Sequence, residues 1–266
     1  MARKVNRQRC GTVAVLPEKK FSKAKRSTER REHMQFKGKI IDLSQEIYQD
    51  MPVYPGHLKT VVWTHLSHED CKRQLGTGFS YETRGIMFCD HGPTHIDAVS
   101  HLSPAPGAPS VDMIPLENCI TSAICLDVSD IPQKTQFGRK KIESELKRWG
   151  LDIQQGDTIL FYTAQYDRYY GKPEYMTDYP GLDREGTEYI IDKGCVNFGV
   201  DSASPDMWYD KTYPCHSVCR ERNVTHVENL CNLDKLIGKR FTFIGLPLKI
   251  RKGTGSPLRP VAILAG

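Results

Sequence analysis

The densest run of metal-competent side chains lies in residues 88–103, FCDHGPTHIDAVSHLS, where His91, His95, Asp97 and His101 fall within eleven positions. Imidazole nitrogen and carboxylate oxygen suit a borderline divalent cation such as Zn2+ or Mn2+. Three protein donors with a position left for water make a catalytic centre, whereas four make a closed, structural one. The spacing also constrains the backbone. His91 and His95 are four apart, as on one helix face, but Gly92 and Pro93 between them oppose a helix. His95 and Asp97 are two apart, which puts both on one face of a strand. The segment therefore reads as a loop entering a short extended stretch, with His91 folded back by the turn. His101, four beyond Asp97, can approach the same centre after one further turn.

These residues resemble the metal-dependent cyclase family, which includes bacterial-type kynurenine formamidases, isatin hydrolases and some lactone hydrolases. The family pattern His-x-Gly-Thr-His-x-Asp-x-Pro-x-His runs here from His91 to His101, with Pro93 replacing the usual Gly and Val99 the usual Pro. Every charged or imidazole position is kept. A second block agrees: the family's remaining ligands are a His and, twelve residues later, a Glu before Asn-Leu, as in His216 and Glu228-Asn229-Leu230. The resemblance implies metal ligands at His91, His95, Asp97, His216 and Glu228, holding one or two Zn2+ or Mn2+ ions. Asp97 and Glu228 would bridge to a second ion held by His216, and His101 would act as general base and acid. A stiff loop, Met51-Pro52-Val53-Tyr54-Pro55-Gly56, matches the family's Pro-x-aromatic-Pro-Gly loop. Tyr54 is thereby implied to lie over the substrate, where formamidases most often carry Trp.

The chain that must position these groups has 266 residues, 39% hydrophobic and 26% charged, enough for one sizeable core. No apolar run approaches the roughly 18 residues of a spanning helix. The basic N-terminus lacks the apolar segment of a secretory signal. Nine cysteines, an odd number, fit a reducing compartment better than a disulfide framework, so a cytoplasmic location is expected. The net charge of +5 belongs to one end: residues 1–36 hold eleven Lys/Arg against three Glu, which leaves the rest mildly acidic. That balance argues against a nucleic-acid-binding body. Residues 1–37 read as a solvated, weakly ordered basic extension with little apolar surface to bury, and 38–266 as a single hydrolase domain.

Within that domain, β-branched and apolar runs predict strands near 40–43, 61–66, 81–88, 119–128, 158–162, 195–200, 241–246 and 261–264. Helical spacing predicts a helix over 140–149, with Ile142, Leu146 and Trp149 on one face and Gly150 as its stop, and another over 183–194. Residues 71–80, CKRQLGTGFS, read as a loop, with His65 and His68 as polar strand-end residues. Residues 164–182 carry five tyrosines, a composition suited to lining a binding surface or to a plain surface loop. The glycine-containing stretch 247–257 lacks the spacing of a phosphate-binding loop. A zinc finger from Cys215, Cys219, His226 and Cys231 fits common spacings poorly, so His226 reads as a packing or supporting residue.

These elements give an α/β or α+β fold with a mixed sheet. The resemblance narrows it to the α/β swivelling β/β/α fold, in homo-oligomers (dimer or tetramer) whose neighbouring subunits complete the pocket. The implied activity is metal-dependent hydrolysis of an amide C–N bond in an aryl formamide or a cyclic amide. A lactone hydrolase or cyclase on the same site, or a non-catalytic binding protein on this fold, are the alternatives. The expected partner is a small-molecule substrate, with no nucleic acid and no membrane. No G-x-S-x-G elbow supports a serine nucleophile.

Overall fold

The computed structural model of the protein describes residues 38–265, so the extension expected over 1–37 lies outside the described residues. In chain order the elements begin with Lys39–Asp42 (β1), Val61–Leu66 (β2), His68–Leu75 (α1), Thr83–Met87 (β3), His95–Asp97 (β4) and Val99–Leu102 (α2). Then come Ile120–Asp127 (β5), Gln136–Phe137 (β6), Arg139–Trp149 (α3), Thr158–Tyr162 (β7), Gln165–Tyr169 (α4), Gly181–Leu182 (β8) and Arg184–Asp192 (α5). Asn197–Val200 (β9), Pro214–Arg222 (α6), Thr225–Glu228 (β10), Arg240–Ile244 (β11), Gly255–Pro257 (β12) and Val261–Leu264 (β13) complete them. Among the described residues, no helix is long and apolar enough to cross a membrane.

A nine-stranded mixed sheet runs in the order β1-β13-β11-β5-β7-β9-β10-β4-β12. Its centre, β5-β7-β9-β10, is parallel, and the flanking pairs are antiparallel. This is the mixed α/β sheet that the sequence predicts. The central strands are apolar on both faces because both faces are covered. In β5, Ile124 and Leu126 join one apolar cluster with Ile142, Leu146 and Ile190 of the crossover helices. Ala123 and Cys125 face the other cluster, with Leu160, Val227, Ile96 and Phe243. The alternation of strand side chains thus divides a continuous apolar run between two cores.

Local chemistry explains most element ends. Gly150 closes α3 in the left-handed region, as its position predicts. Trp149 departs from the predicted inward face. It is 39% exposed, lies against Gly238, and donates Nε1–H to Glu145 Oε2 at 3.1 Å. The segment 71–80 is not wholly loop, since its first half belongs to α1. Ser67 caps that helix by accepting from the Asp70 N–H, and Gly76 ends it at φ 64°. His68 is the first residue of α1 and is hydrogen-bonded to Ser80 Oγ at 3.0 Å. The stretch 247–257 also holds more than a loop: its end is β12, an edge strand paired with β4. The tyrosine-rich segment packs inward, with Tyr175 and Tyr179 fully buried together with Ala203.

One buried network ties β4 to the end of β10. The Thr94 hydroxyl accepts from Gln45 N–H at 2.9 Å and donates to the Asn229 carbonyl at 2.6 Å. Tyr175 OH donates to Asn229 Oδ1 at 2.9 Å, and Asn229 itself takes φ 59°. Replacing Thr94 by Val keeps the volume but leaves two buried polar groups without this partner. Thr94→Val should cost about 1–3 kcal/mol, read as a lower urea midpoint with an unchanged slope; an unmoved midpoint would show the network to be dispensable.

Candidate active site

Strand register assembles the site. β4 and β10 are antiparallel, with His95 opposite Glu228 and Asp97 opposite His226. Residues two apart share a strand face, and directly opposed residues are neighbours on it. Four polar side chains therefore meet on one face of the sheet. His91 comes back over them from the turn before β4, which contains a cis Gly92–Pro93 bond. His101 arrives on α2 and His216 on α6, two helices that pack together.

The distances show the convergence. Asp97 Oδ1 lies 2.7 Å from His91 Nδ1 and 3.2 Å from His95 Nε2. Asp97 Oδ2 lies 3.5 Å from His226 Nε2, 3.7 Å from His101 Nε2 and 3.8 Å from His216 Nε2. Glu228 Oε2 lies 3.3 Å from His95 Nε2, and Oε1 lies 3.2 Å from His226 Nε2 and 3.7 Å from His216 Nε2. The five residues expected as ligands and His101 are thus brought together, across more than a hundred residues of chain. Cys89 is half-buried beside Asp90 at 3.7 Å, outside the cluster. Among the described residues, no cysteine joins the groups of donors that could hold an ion.

Outer partners aim the rings. His95 Nδ1–H donates to the Pro93 carbonyl at 2.9 Å, which leaves Nε2 to face the carboxylates. His216 Nδ1–H donates to Asp206 Oδ2 at 2.5 Å. Asp206 also accepts from the Cys215 and His216 N–H groups at the start of α6, so one carboxylate sets both helix and ring. The Thr254 hydroxyl donates to Asp90 at 2.7 Å and meets His91 Nε2 at 3.0 Å, so His91 turns Nδ1 inward. Such outer partners fix tautomer and orientation at metal sites. Asp206, Thr254 and Asp90 were not legible as site residues, because each acts from a loop whose approach depends on the fold.

The electrostatics follow from two buried carboxylates with only imidazoles around them. Burial opposes the charge on Asp97, yet His226, His91 and His95 hold its carboxyl well below the usual range. Burial and Asp97 push Glu228 up, but His226 and His95 bring it down to about 2. Burial lowers His95, but Asp97 and Glu228 outweigh it and lift the ring to about 10. Burial lowers His226 too, but Asp97, the Cys219 thiol and Glu228 together raise it well above its usual value. His101 goes the other way: burial pushes it down to about 4, so it is neutral near pH 7. With protein charges alone, ring protons balance the two carboxylates. A divalent cation does the same with deprotonated rings, and the oxygen–nitrogen donor set fits Zn2+ or Mn2+.

A cavity of about 400 Å3 opens onto this centre. Tyr54, His57, His101, Tyr213, Ser217 and Arg220 are among its walls. Tyr54 meets Trp208 edge-on at 5.0 Å and His57 at 5.2 Å between ring centroids. Its loop therefore reaches the cavity, as the sequence implies. The tyrosines of 164–182 do not line it. His57, Tyr213 and Arg220 carry no spacing signal, and their place was not readable beforehand. Among the described residues, Arg220 is the one Lys or Arg on the wall.

The neighbouring strand fixes how close His91 comes. Gly255 of β12 pairs with Asp97, and a Cβ there would meet His91 Cε1 at 2.7 Å and Nδ1 at 2.9 Å. Gly255→Ala should therefore turn the His91 ring away and weaken metal binding by at least about 10-fold, the scale of losing an orienting partner. Metal titration alongside an unchanged far-UV spectrum checks this; unaltered affinity would show that the ring has room.

Comparison with known proteins agrees with this arrangement. The Cyclase family model matches residues 41–207. "Cyclase-like protein 3" of Oryza sativa subsp. japonica is 27% identical over 232 residues, covering 85% of this chain and 80% of that one. "Kynurenine formamidase" of Bacillus mycoides (strain KBAB4) is 25% identical over 221 residues, covering 83% and 95%. The solved structure of isatin hydrolase A from Ralstonia solanacearum superposes with a TM-score of 0.74 at 26% identity, covering 85% of this chain and 92% of that one.

Proposed function

The chain belongs to the Cyclase family, and from that premise we propose that it is a metal-dependent hydrolase of amide C–N bonds, acting on an aryl formamide or a cyclic amide. The observation that carries the reading is the meeting of Asp97 and Glu228 with imidazoles at the floor of an open cavity. The similarity to a kynurenine formamidase and to an isatin hydrolase supports the amide class. His91, His95 and Asp97 would hold the first ion, and Glu228 and His216 would complete the set. Bound there, a divalent ion supplies polarisation of a carbonyl and acidifies water to a pKa of about 7.

The side chains supply the rest. His101 Nε2 is neutral, stands 3.7 Å from Asp97 Oδ2, and its side chain is 36% exposed to the cavity. It takes a proton from the attacking water and returns it to the leaving nitrogen. Asp97 stabilises the imidazolium while the proton is there. Tyr54 and Tyr213 offer flat walls for an aromatic ring, which a simple aliphatic lactone would leave unused. Arg220 offers a partner for an acidic group on the substrate.

Self-association is part of the reading. The β2–β3 ribbon leaves Trp63, Ile86 and Met87 about half exposed, surface that a second copy would cover. Molar mass in solution tests it, with a monomer at micromolar concentration counting against it. The eight cysteines among the described residues are free thiols, which supports a reducing, cytoplasmic setting.

The deciding assay compares an N-formyl aryl amine, isatin and a simple lactone with added Zn2+ or Mn2+. The amides should turn over and lose activity on chelation; lactone-only turnover would favour the lactonase alternative. His101→Ala should retain the metal and lose about 10²–10⁴-fold in turnover, the worth of general acid–base catalysis. Full activity in that variant would remove His101 from the chemistry.

A further inference from the structure

We propose that His226 is a metal ligand, the fourth protein donor of an ion position that it shares with Asp97, His216 and Glu228. The inference rests on the metal-dependent reading above.

The carboxylate oxygens are divided. Asp97 Oδ1 and Glu228 Oε2 both face His95 Nε2, at 3.2 and 3.3 Å, and Asp97 Oδ1 also faces His91. Asp97 Oδ2 and Glu228 Oε1 both face His226 Nε2, at 3.5 and 3.2 Å. The same two oxygens face His216 Nε2, at 3.8 and 3.7 Å. The His216 and His226 rings stand 4.7 Å apart and nearly perpendicular, at 82°. One donor atom from each of Asp97, His216, His226 and Glu228 lies within 4.8 Å of the others. Two nitrogens and two oxygens in that volume are a full tetrahedral set for Zn2+.

Besides the carboxylates, the polar group next to His226 is the Cys219 thiol, which makes no well-directed hydrogen bond to it. It is 1% exposed and stacks on Phe198 at 5.5 Å and 19°. Its Nδ1 has no hydrogen-bond partner among the described residues. Nε2 meets only the two carboxylates that bound the site. A histidine retained purely for packing would satisfy its polar atoms elsewhere or be replaced by an apolar side chain. His226 is absent from the cavity wall, whereas Asp97, His216 and Glu228 form part of it, as do His91, His95 and His101. An ion between His216 and His226 would thus be held by three donors on the wall and one behind it, and would fix the position of both carboxylates.

The test is metal content of the full-length protein by elemental analysis after exhaustive dialysis, with Co2+ absorption as a second readout. Wild type should hold two ions per chain. His226→Leu should hold one, with the second ion's affinity reduced by more than the 10–100-fold typical of losing an outer partner. His226→Cys, which supplies a thiolate, should restore the second ion and keeps the test open if the Leu variant does not fold. Wild type loaded with a first Co2+ equivalent should show the intense visible band of four-coordinate cobalt. Two ions of unchanged affinity in His226→Leu would overturn the proposal, as would a single wild-type ion insensitive to position 226. Both results would leave the hydrolase reading standing. A wild-type protein that binds no metal would overturn both.

Discussion

The pairing of β4 with β10 is the constraint from which the site follows. Three residues of one strand lie against three of the other, with His95 opposite Glu228 and Asp97 opposite His226. Because strand side chains alternate, this register sends all four to one face, and Ile96 and Val227 to the apolar core on the other. A slip of β4 by one residue would turn His95 and Asp97 toward the apolar side chains and Ile96 toward the site. The hydrophobic pattern and the functional pattern thus select the same register. The Thr94–Asn229 link pins the same pair at its end.

Two carboxylates so close together and so buried repel each other and lose hydration. The structure answers with imidazoles. Protonated rings or a divalent cation both balance the charge, and proton and metal therefore compete for the same nitrogens. His101 sits at the edge of this charge field, half in the cavity, and burial keeps it neutral. His95 and His101 thus part in opposite directions: the carboxylates raise the first ring, and burial lowers the second. Rigid support lies behind both. The parallel strands β7, β9 and β10 carry the crossover helices, and α6 presents His216 with Asp206 locked onto its first turn. Catalytic geometry held by strands and helix ends is more precise than geometry left to loops.

Where sequence reading fell short, the physical reasons differ. The α1 helix had its signals in place, Ser67 before Asp70 and Gly76 at the end, but they stood next to a glycine-rich loop that dominated the reading. The tyrosines of 164–182 were ambiguous by type, since an amphipathic ring serves a core as well as a pocket. Burial of Tyr175 and Tyr179 settled it for the core. His226 is the instructive case. Two residues before Glu228, it must share that residue's face if the segment is a strand. Nothing local said that a strand was there, or that Asp97 lay across from it.

The sequence by itself determined the chemistry on offer. The donor types, the two-residue spacing of His95 and Asp97, the helix-opposing Gly92-Pro93, and the apolar runs of the central strands are all local properties. Local properties are read from neighbours in the chain. The tertiary structure alone decided which distant groups complete the centre. His216 and Glu228 were reachable by resemblance and His226 read as a packing or supporting residue, but the places of Asp206, Thr254 and Arg220 were not legible. Their roles depend on strand register and on loop approach, and both are fixed by the packing of the whole sheet rather than by any stretch of residues within it.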